Sequence, residues 1–189
     1  LHQADEPIAL WERTEETDGG QQPPPFWAFA WAGGQALARF VLDSPELVAG
    51  RTVLDLATGS GLVAIAAALA GASSVTANDI DARALTAARA NAAANAVSLE
   101  LAGGDLLRSD PAFDVVLAGD VCYSREMAGR VVPFLRRAAE RGSLVLLGDP
   151  GRAYLPDGLV SRAVYEDVPV SFALESVPAR RITVWQVES

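Results

Sequence analysis

Three aspartates stand at places along this chain where they could bind a polar ligand. Asp55, Asp79 and Asp105 each lie in or directly after a short apolar run, and such runs are typical of buried parallel strands. Ligands of open α/β sheets bind beyond the carboxyl ends of the strands, so we expect these carboxylates to gather along one edge of a sheet. Capping of a turn would explain any one of them, but it explains poorly all three at consecutive strand ends.

A glycine turn follows the first of these aspartates. Residues 53–65 predict a strand, a break at Gly59 and Gly61, and an alanine-rich helix, which is the layout of a nucleotide-binding turn in a doubly wound sheet. Gly59 permits the tight turn, Gly61 lets a ligand approach the backbone, and Ala64 is small enough for close packing of helix on strand. Asp79 follows Gly61 by 18 residues, where a carboxylate would meet ribose hydroxyls.

The choice among ligands that use such a turn depends on charge. A phosphate-binding P-loop needs a lysine after its glycines, and the 189 residues contain no lysine. A nicotinamide dinucleotide would bring its pyrophosphate close to the negative charge of Asp55. S-adenosylmethionine carries an ammonium and a sulfonium instead, so Asp55 would attract it, and Asp105 would accept a hydrogen bond from the adenine amino group. Residues 55–61 also resemble the S-adenosylmethionine signature of seven-strand methyltransferases, and this resemblance together with the charges favours S-adenosylmethionine.

A fourth aspartate, Asp120, ends the fourth predicted strand and is followed by Tyr123. Methyl transfer from a sulfonium is an in-line displacement, so an enzyme must chiefly align a neutral amine and exclude water. We expect Asp120 to orient that amine and Tyr123 to narrow the channel that admits it. The alternatives are a helix N-cap for Asp120 and simple packing for Tyr123.

Two further groups of side chains lie near or after these residues in the sequence, and one of them has two possible roles. Cys122 is expected to be a small buried residue, because the single histidine, His2, is far from it in sequence. Asp149 and Arg152 form a second candidate patch, which would either contact a protein substrate or fix its own loop. No group of histidine, cysteine and carboxylate has metal-ligand spacing, so we expect no metal.

The elements that must position these residues follow from the apolar pattern. It predicts a first strand from residue 53, further parallel strands at 74–78, 97–101, 113–118 and 143–147, helices at 35–42, 62–70, 81–96, 126–141 and 159–164, and an antiparallel pair at 168–175 and 181–187. The expected fold class is α/β, a Rossmann-like, doubly wound, seven-stranded sheet that is mostly parallel with a C-terminal antiparallel strand pair. Asn91 and Asn95 are expected on the solvent face of their helix or at its C-terminal end.

The expected organisation is a single domain. Residues 26–189 would form it, and residues 1–25 would form an N-terminal hairpin or lid segment with a stiff proline-rich loop from residue 18. Half of the residues are hydrophobic, yet no apolar run approaches the ~20 residues of a membrane span. The formal net charge is −9, and no basic stripe is visible, which argues against a nucleic-acid partner. We expect a cytoplasmic monomer.

Four stretches carry a resemblance to a known family. Residues 25–37, Ala77–Asp81, the Gly119-Asp120-x-x-Tyr123 element and residues 148–152 together resemble the electron transfer flavoprotein β-subunit lysine methyltransferase family. Members of that family are seven-strand (class I) S-adenosylmethionine-dependent methyltransferases. The similarity runs from about residue 24 to residue 185. The departures lie in the glycine turn, at positions 57, 58 and 60, and remove no group that the chemistry needs.

The resemblance implies roles for individual residues. Trp31 and the backbone from Ala57 through Gly59 to Gly61 would hold the methionine half of the cofactor. Asp79 would bind the ribose, Ile80 would pack on the adenine, Asp105 and Leu106 would frame the adenine edge, and Ala118 would line the floor of the site. Asp120 and Tyr123 would face the methyl group and the incoming amine.

The function implied is transfer of a methyl group to a lysine side chain of a protein such as the electron transfer flavoprotein β subunit or a ribosomal stalk protein. The partner would therefore be a protein with an accessible lysine. Two alternatives stay open: a small-molecule, nicotinamide-like N-methyltransferase, which an enclosed pocket would favour, and a methyltransferase-like binding module that has lost catalysis. The aspartates described above argue against the binding module.

Overall fold

The structure is a computed structural model of the chain. It describes residues 1–4, 6–18, 20, 24–110, 112–170 and 177–188, with the side chains of residues 7, 8 and 18 outside the description.

The centre of the fold is a seven-stranded sheet. Its strands are β1 (Thr52–Leu56), β2 (Ser74–Asp79), β3 (Glu100–Gly103), β4 (Val115–Gly119), β5 (Leu144–Asp149), β6 (Leu159–Pro169) and β7 (Ala179–Val187). The spatial order is β3-β2-β1-β4-β5-β7-β6. The first five strands run parallel, and β7 lies antiparallel to both β5 and β6. The predicted fold class is confirmed.

Five α-helices accompany the sheet among the described residues. They are α1 (Pro7–Asp18), α2 (Ala32–Asp43), α3 (Leu62–Leu69), α4 (Ala82–Ala94) and α5 (Arg125–Glu140), and short 3-10 turns occupy Phe26–Ala28 and Pro45–Leu47. One apolar layer joins α2 and α3 to one face of the sheet, and a second joins α5 to the other face. Parallel strands are covered on both faces in this way because both faces are apolar. No described helix is long and apolar enough to cross a membrane.

The order of the strands creates a crevice at one point. The chain leaves β1 for β2 on one side and later returns to place β4 on the other side of β1. In an open sheet this reversal point is where the loops after two neighbouring strands diverge and leave room for a ligand. The glycine turn after β1 and Asp120 after β4 both lie there.

Two predicted elements were wrong. Residues 7–18, expected within a hairpin or edge strand, form α1, whose first residue is a proline, a residue favoured at the start of a helix. Residues 159–164, expected as a short helix, belong to β6, because Val160, Val164 and Tyr165 suit a strand that pairs with β7. The third strand lies a few residues later than predicted. Residues 171–175 of the predicted strand 168–175 lie outside the described residues.

Candidate active site

The glycine turn is built by backbone conformations that favour glycine. Gly59 has φ +53° and Gly61 has φ +83°, and α3 begins directly after Gly61. A Cβ atom on Gly61 would lie 3.0 Å from Ala88 of α4, so the turn also needs glycine for packing. The Thr58 N–H donates to the Asn78 carbonyl at 2.9 Å, which ties the turn to the end of β2. The first N–H groups of a helix have no partner within it and suit a ligand carboxylate; in α3 that of Ala64 is already bonded to Asp55 Oδ2, so Leu62 and Val63 would have to provide them.

Asp55 lies beneath the turn and is only 1% exposed. Its Oδ2 accepts hydrogen bonds from Thr58 Oγ1 at 2.5 Å and from the Ala64 N–H at 3.0 Å. Burial raises the pKa of Asp55 to about 7, although both hydrogen bonds oppose the rise. The contacts make Asp55 a residue that positions the turn from below. The predicted attraction of its charge for the cofactor stays a prediction.

Asp79 and Ile80 lie side by side at the end of β2. Asp79 Oδ2 accepts from the Gly59 N–H and Oδ1 accepts from the Asp81 N–H, each at 3.0 Å. Burial raises the pKa of Asp79. The Ile80 side chain is 74% exposed, which is unusual for a large apolar residue next to a partly buried carboxylate. A ribose and an adenine have the polar and apolar surfaces that this pair would complement.

The residues predicted for the adenine edge and the floor have other contacts. Asp105 Oδ1 accepts from the Leu107 N–H at 2.9 Å, and Oδ2 forms an ion pair with Arg130 at 2.7 Å. An adenine amino group would therefore share Asp105 with Arg130. Leu106 is half-buried against the apolar layer under α5, and Ala118 is fully buried within that layer. Ala118 thus lies below the surface of the site.

Asp120 occupies an unusual backbone position at the end of β4. Its φ is +57°, a conformation that aspartate tolerates better than most residues but that still carries strain. Its N–H donates to the Gly148 carbonyl at 2.9 Å. Its Oδ2 accepts from the Gly34 N–H at 2.9 Å, and its Oδ1 lies 2.6 Å from Arg152 Nη1. The N-cap of α5 is Ser124, so the alternative role of Asp120 as the cap of that helix is wrong.

The carboxylate of Asp120 is almost enclosed, with 9% of the residue exposed. Burial raises its pKa, although Arg152 and the Gly34 N–H act in the opposite direction. The Gly34 N–H lies in the first turn of α2, where the helix dipole favours a negative charge. Asp120 therefore joins three elements, β4, the first turn of α2 and the loop after β5.

Glycines allow this junction to form. A Cβ atom on Gly33 would collide with the Gly148 carbonyl oxygen and lie 2.6 Å from Asp120 Oδ2, and one on Gly119 would lie 2.8 Å from the Gly34 Cα atom. The start of α2 thus rests directly on the ends of β4 and β5. The glycines at these positions bring the Gly34 N–H within reach of Asp120.

Three aromatic rings, here called the aromatic rim, border the same end of the sheet. The Phe26 ring lies 5.8 Å from the Trp31 ring and 5.7 Å from the Tyr123 ring. The Trp31 Nε1 donates to the Phe26 carbonyl at 2.8 Å. Tyr123 is 50% exposed and Phe26 is 44% exposed. Trp31 and Tyr123 were predicted for different halves of the site. The Phe26 ring lies between them and contacts both, so the rim joins the two halves.

Asn91 lies in the last turn of α4, one of the two positions expected for it, and not on the solvent face. It is 0% exposed, where a position on the solvent face was one expectation. Its Nδ2 donates to the Ser60 carbonyl at 2.8 Å, and its Oδ1 accepts from the His2 N–H at 2.5 Å. Asn91 therefore joins the glycine turn to the N-terminal segment. Its spacing from the buried Ala84 and Ala88 of α4 is the helical i, i+4, i+7 pattern, which could have indicated burial.

Cys122 is fully buried, and burial raises the pKa of its thiol to about 12. Its prediction as a small buried residue is confirmed, and a thiolate mechanism is disfavoured. Within the described part of the chain, no group of three or more histidine, cysteine or carboxylate side chains could hold a metal ion.

The sheet order, the glycine turn and the acidic residue at the end of β2 are those expected of a class I S-adenosylmethionine-dependent methyltransferase. The family model for ribosomal protein L11 methyltransferase (PrmA) matches residues 36–122. The solved structure of a ribosomal protein L11 methylase from Lactobacillus delbrueckii subsp. bulgaricus has a TM-score of 0.62 and 24% identity, covering 85% of this chain and 81% of that one, and it shows the same fold.

Two curated relatives share a more specific name, electron transfer flavoprotein beta subunit lysine methyltransferase. The protein of Danio rerio is 38% identical over 180 residues, 92% of this chain and 70% of the relative. That of Xenopus laevis is 46% identical over 132 residues, 68% of this chain and 54% of the relative. The chain thus spans between about half and somewhat over two thirds of their length. It belongs to the electron transfer flavoprotein β-subunit lysine methyltransferase family.

Proposed function

We propose that the chain is an S-adenosylmethionine-dependent protein-lysine N-methyltransferase that acts on the electron transfer flavoprotein β subunit. The observation that carries the proposal is the carboxylate of Asp120, held after β4 and next to the glycine turn, close in sequence to the exposed ring of Tyr123. The names of the relatives at 38% and 46% identity support both the reaction and the substrate.

The glycine turn, Asp79 and Ile80 would hold the cofactor. The N–H groups at the start of α3 suit its carboxylate, the carboxylate of Asp79 suits ribose hydroxyls, and the exposed Ile80 suits the adenine face. When bound, S-adenosylmethionine supplies a methyl group already activated by its sulfonium. Asp105 would contribute an acceptor for the adenine amino group beside its ion pair with Arg130.

The remaining chemistry concerns the amine. A lysine ammonium must lose a proton to solvent before its nitrogen can act as a nucleophile. Asp120 would accept a hydrogen bond from the amine and so fix the direction of its lone pair. The aromatic rim would exclude water from the aliphatic part of the lysine side chain and from the reacting atoms.

The exposure of the aromatic rim supports a protein substrate over a small molecule. An enclosed pocket would favour the small-molecule alternative, whereas Tyr123 and Phe26 are each about half exposed. Ribosomal protein L11 is a second candidate substrate, favoured by the family model that matches residues 36–122. The proposal further includes a cytoplasmic location and a monomeric state. It also includes no nucleic-acid partner, which the net charge of −9 supports.

The test incubates the purified chain with radiolabelled S-adenosylmethionine and one of three targets: the electron transfer flavoprotein β subunit, ribosomal protein L11, or an extract from cells that lack this protein. Labelled products are separated by size and mapped by mass spectrometry. Because the 189 residues contain no lysine, label on the enzyme itself cannot be lysine self-methylation. Asp120→Ala serves as the inactive variant, and Arg181→Gln, which removes an exposed ion pair with Glu166, serves as the active control.

The expected result is label on a lysine of the flavoprotein β subunit that the Asp120→Ala variant does not transfer, although it still binds the cofactor. Label on L11 alone would replace the substrate and keep the reaction. Label confined to small molecules would support the small-molecule alternative, and cofactor binding without any label would support a binding module. Normal turnover by the Asp120→Ala variant would refute the role of Asp120.

A further inference from the structure

Three charged side chains meet behind the amine side of the site. Asp120, Asp149 and Arg152, here called the acid–arginine cluster, come from the ends of β4 and β5 and the loop after β5. Arg152 Nη1 lies 2.6 Å from Asp120 Oδ1 and 3.5 Å from Asp149 Oδ2. The first distance is a strong charge-assisted hydrogen bond, and the second is longer than one. One nitrogen atom of Arg152 thus stands between two carboxylates and bonds to one of them.

Asp149 has an acceptor that is not used. The residue is fully buried, and its Oδ1 accepts from the N–H groups of Gly151 and Arg152, each at 2.7 Å. Its Oδ2 is buried with no hydrogen-bond partner. Buried carboxylate oxygens are nearly always hydrogen-bonded, because an unpaired one bears its full desolvation cost. The unpaired Oδ2 faces Arg152 Nη1, so a second position of the guanidinium, bonded to Asp149, is available.

The charges of the cluster also leave room for a cation. Two carboxylates share the guanidinium of Arg152, so the three side chains together carry one more negative than positive charge. The first turn of α2, which packs against them, contributes the neutral Gly33 and Gly34. The neighbouring Cys122 thiol is neutral, because burial and the Asp149 charge raise its pKa to about 12. An amine that becomes a cation when it is methylated would complete the balance.

We propose that Arg152 is a positioning residue that alternates between Asp120 and Asp149, so that an arriving lysine amine takes its place on Asp120 Oδ1. The proposal rests on the proposed function. While Arg152 turns to Asp149, Asp120 Oδ2 keeps its hydrogen bond from the Gly34 N–H, and the carboxylate stays in place. Among the described residues, Arg152 holds Asp120 Oδ1, the position proposed for the amine, and the unpaired acceptor of Asp149 favours its release.

The transfer that follows is balanced. The lysine ammonium first gives a proton to solvent, and its nitrogen lone pair then forms a bond to the methyl carbon while the carbon–sulfur bond breaks. The sulfur keeps that electron pair, the donor leaves as neutral S-adenosylhomocysteine, and the positive charge moves to the methylated nitrogen. Asp120, freed from Arg152, faces that new charge.

Asp149→Asn distinguishes a role of Asp149 in positioning Arg152 from a role in holding the fold together. The amide oxygen still accepts from the Gly151 and Arg152 N–H groups, but an NH₂ group replaces the unpaired oxygen, and Arg152 loses its second acceptor. We expect kcat on the protein substrate to fall about 10- to 100-fold, the value of a hydrogen bond to a charged group. The cofactor dissociation constant, measured by calorimetry, should stay within about 2-fold. The thermal midpoint of the cofactor-free chain should change little, because the amide oxygen keeps both hydrogen bonds of Oδ1 and one buried unpaired polar group replaces another.

Two substitutions of Arg152, one that removes its positive charge and one that keeps it, test its role through kcat. Arg152→Gln should lose kcat, and Arg152→Lys should recover part of it, since the ion pairs with Asp120 and Asp149 both use Nη1, which an ammonium can replace. Mass spectrometry of the lysine variant checks that its new amine is not methylated. Arg181→Gln, from an exposed pair, should behave as wild type.

Several results would overturn the inference. The movement of Arg152 between Asp120 and Asp149 would be refuted if Asp149→Asn kept the wild-type kcat. It would also be refuted if the loss of kcat came with an equal fall in cofactor affinity and thermal midpoint. A third refuting result is an Arg152→Lys variant with no higher kcat than Arg152→Gln. In those cases a wild-type chain that methylates lysine leaves the proposed function intact. A wild-type chain that methylates no lysine would refute both.

Discussion

Asp55 should make the stability of this chain fall as pH rises, and replacing it by asparagine should remove that dependence. The carboxyl is 1% exposed, and its burial raises its pKa from 3.8 to about 7. Between these two values the unfolded chain loses the proton of Asp55 while the folded chain keeps it. The folded state then binds more protons, so the free energy of unfolding decreases through this window and becomes level above it.

The size of the effect follows from the two pKa values. They differ by about 3, which corresponds to about 4 kcal/mol over the whole window. We compare pH 5.5 with pH 8, because both lie above the isoelectric point of about 4.6. Between these two pH values the free energy of unfolding should change by about 2 kcal/mol through Asp55. Asp120, whose pKa burial also raises, acts in the same direction but is present in both proteins and cancels in the comparison. Asp79, whose pKa burial raises too, is coupled to Asp55 by charge and loses that coupling in the variant.

The assay is urea unfolding followed by tryptophan fluorescence at both pH values. In Asp55→Asn the amide oxygen still accepts from Thr58 and Ala64, so the turn keeps its support, and the free energy of unfolding should fall by about 2 kcal/mol less than in wild type. Asp110→Asn, in an exposed pair with Arg141, is the matched control. An equal pH dependence in Asp55→Asn and wild type would refute the reasoning. Should the variant not fold, titration of Asp55 by carboxyl NMR in wild type decides, and an ordinary pKa would refute it.

Three further outcomes are expected. Gly33→Ala should lower the thermal midpoint of unfolding by about 4 °C or more and abolish methyl transfer, because its Cβ would collide with the Gly148 carbonyl oxygen. Gly34→Ala is the control and should keep the fold, because its Cβ would meet Val63 at 3.7 Å. Equal thermal midpoints for the two variants would contradict the packing argument. Ala57→Gly should raise the free energy of unfolding by about 1 kcal/mol in urea titrations, since Ala57 has φ +56°, and no gain would show that the position is unstrained. Asp79→Ala should weaken cofactor binding about 10-fold by calorimetry, as a lost hydrogen-bonding carboxylate does, and unchanged affinity would refute the ribose assignment.

The parts of the site that the sequence predicted are those formed by local contacts. The glycine turn, the strand before it and the helix after it are one continuous stretch, and the turn is closed by Asp55, three residues from Thr58 and nine from Ala64. Residue type and spacing determine such a unit, because its backbone conformations need glycine and its buried donors need a nearby acceptor.

The parts that were missed depend on contacts between distant residues. Asn91 is buried because its partners are Ser60 and His2, 31 and 89 residues away. The pairing of Asp120 with Arg152 spans 32 residues and requires that β4 and β5 lie side by side. The helix predicted at 159–164 failed for the same reason, since its pairing with β7 decides the conformation. No local pattern contains these partners.

The contact between Asp120 and the Gly34 N–H, 86 residues apart, also bears on how the chain folds. The turn that supports the cofactor side is built from β1, α3, β2 and α4, which are consecutive. The amine side needs α2 from early in the chain and the loop after β5 from late in it. Contacts of high sequence separation form slowly, because the intervening chain must lose its freedom first. A nascent chain released before residue 152 would therefore hold the elements of a cofactor turn without a completed place for the amine.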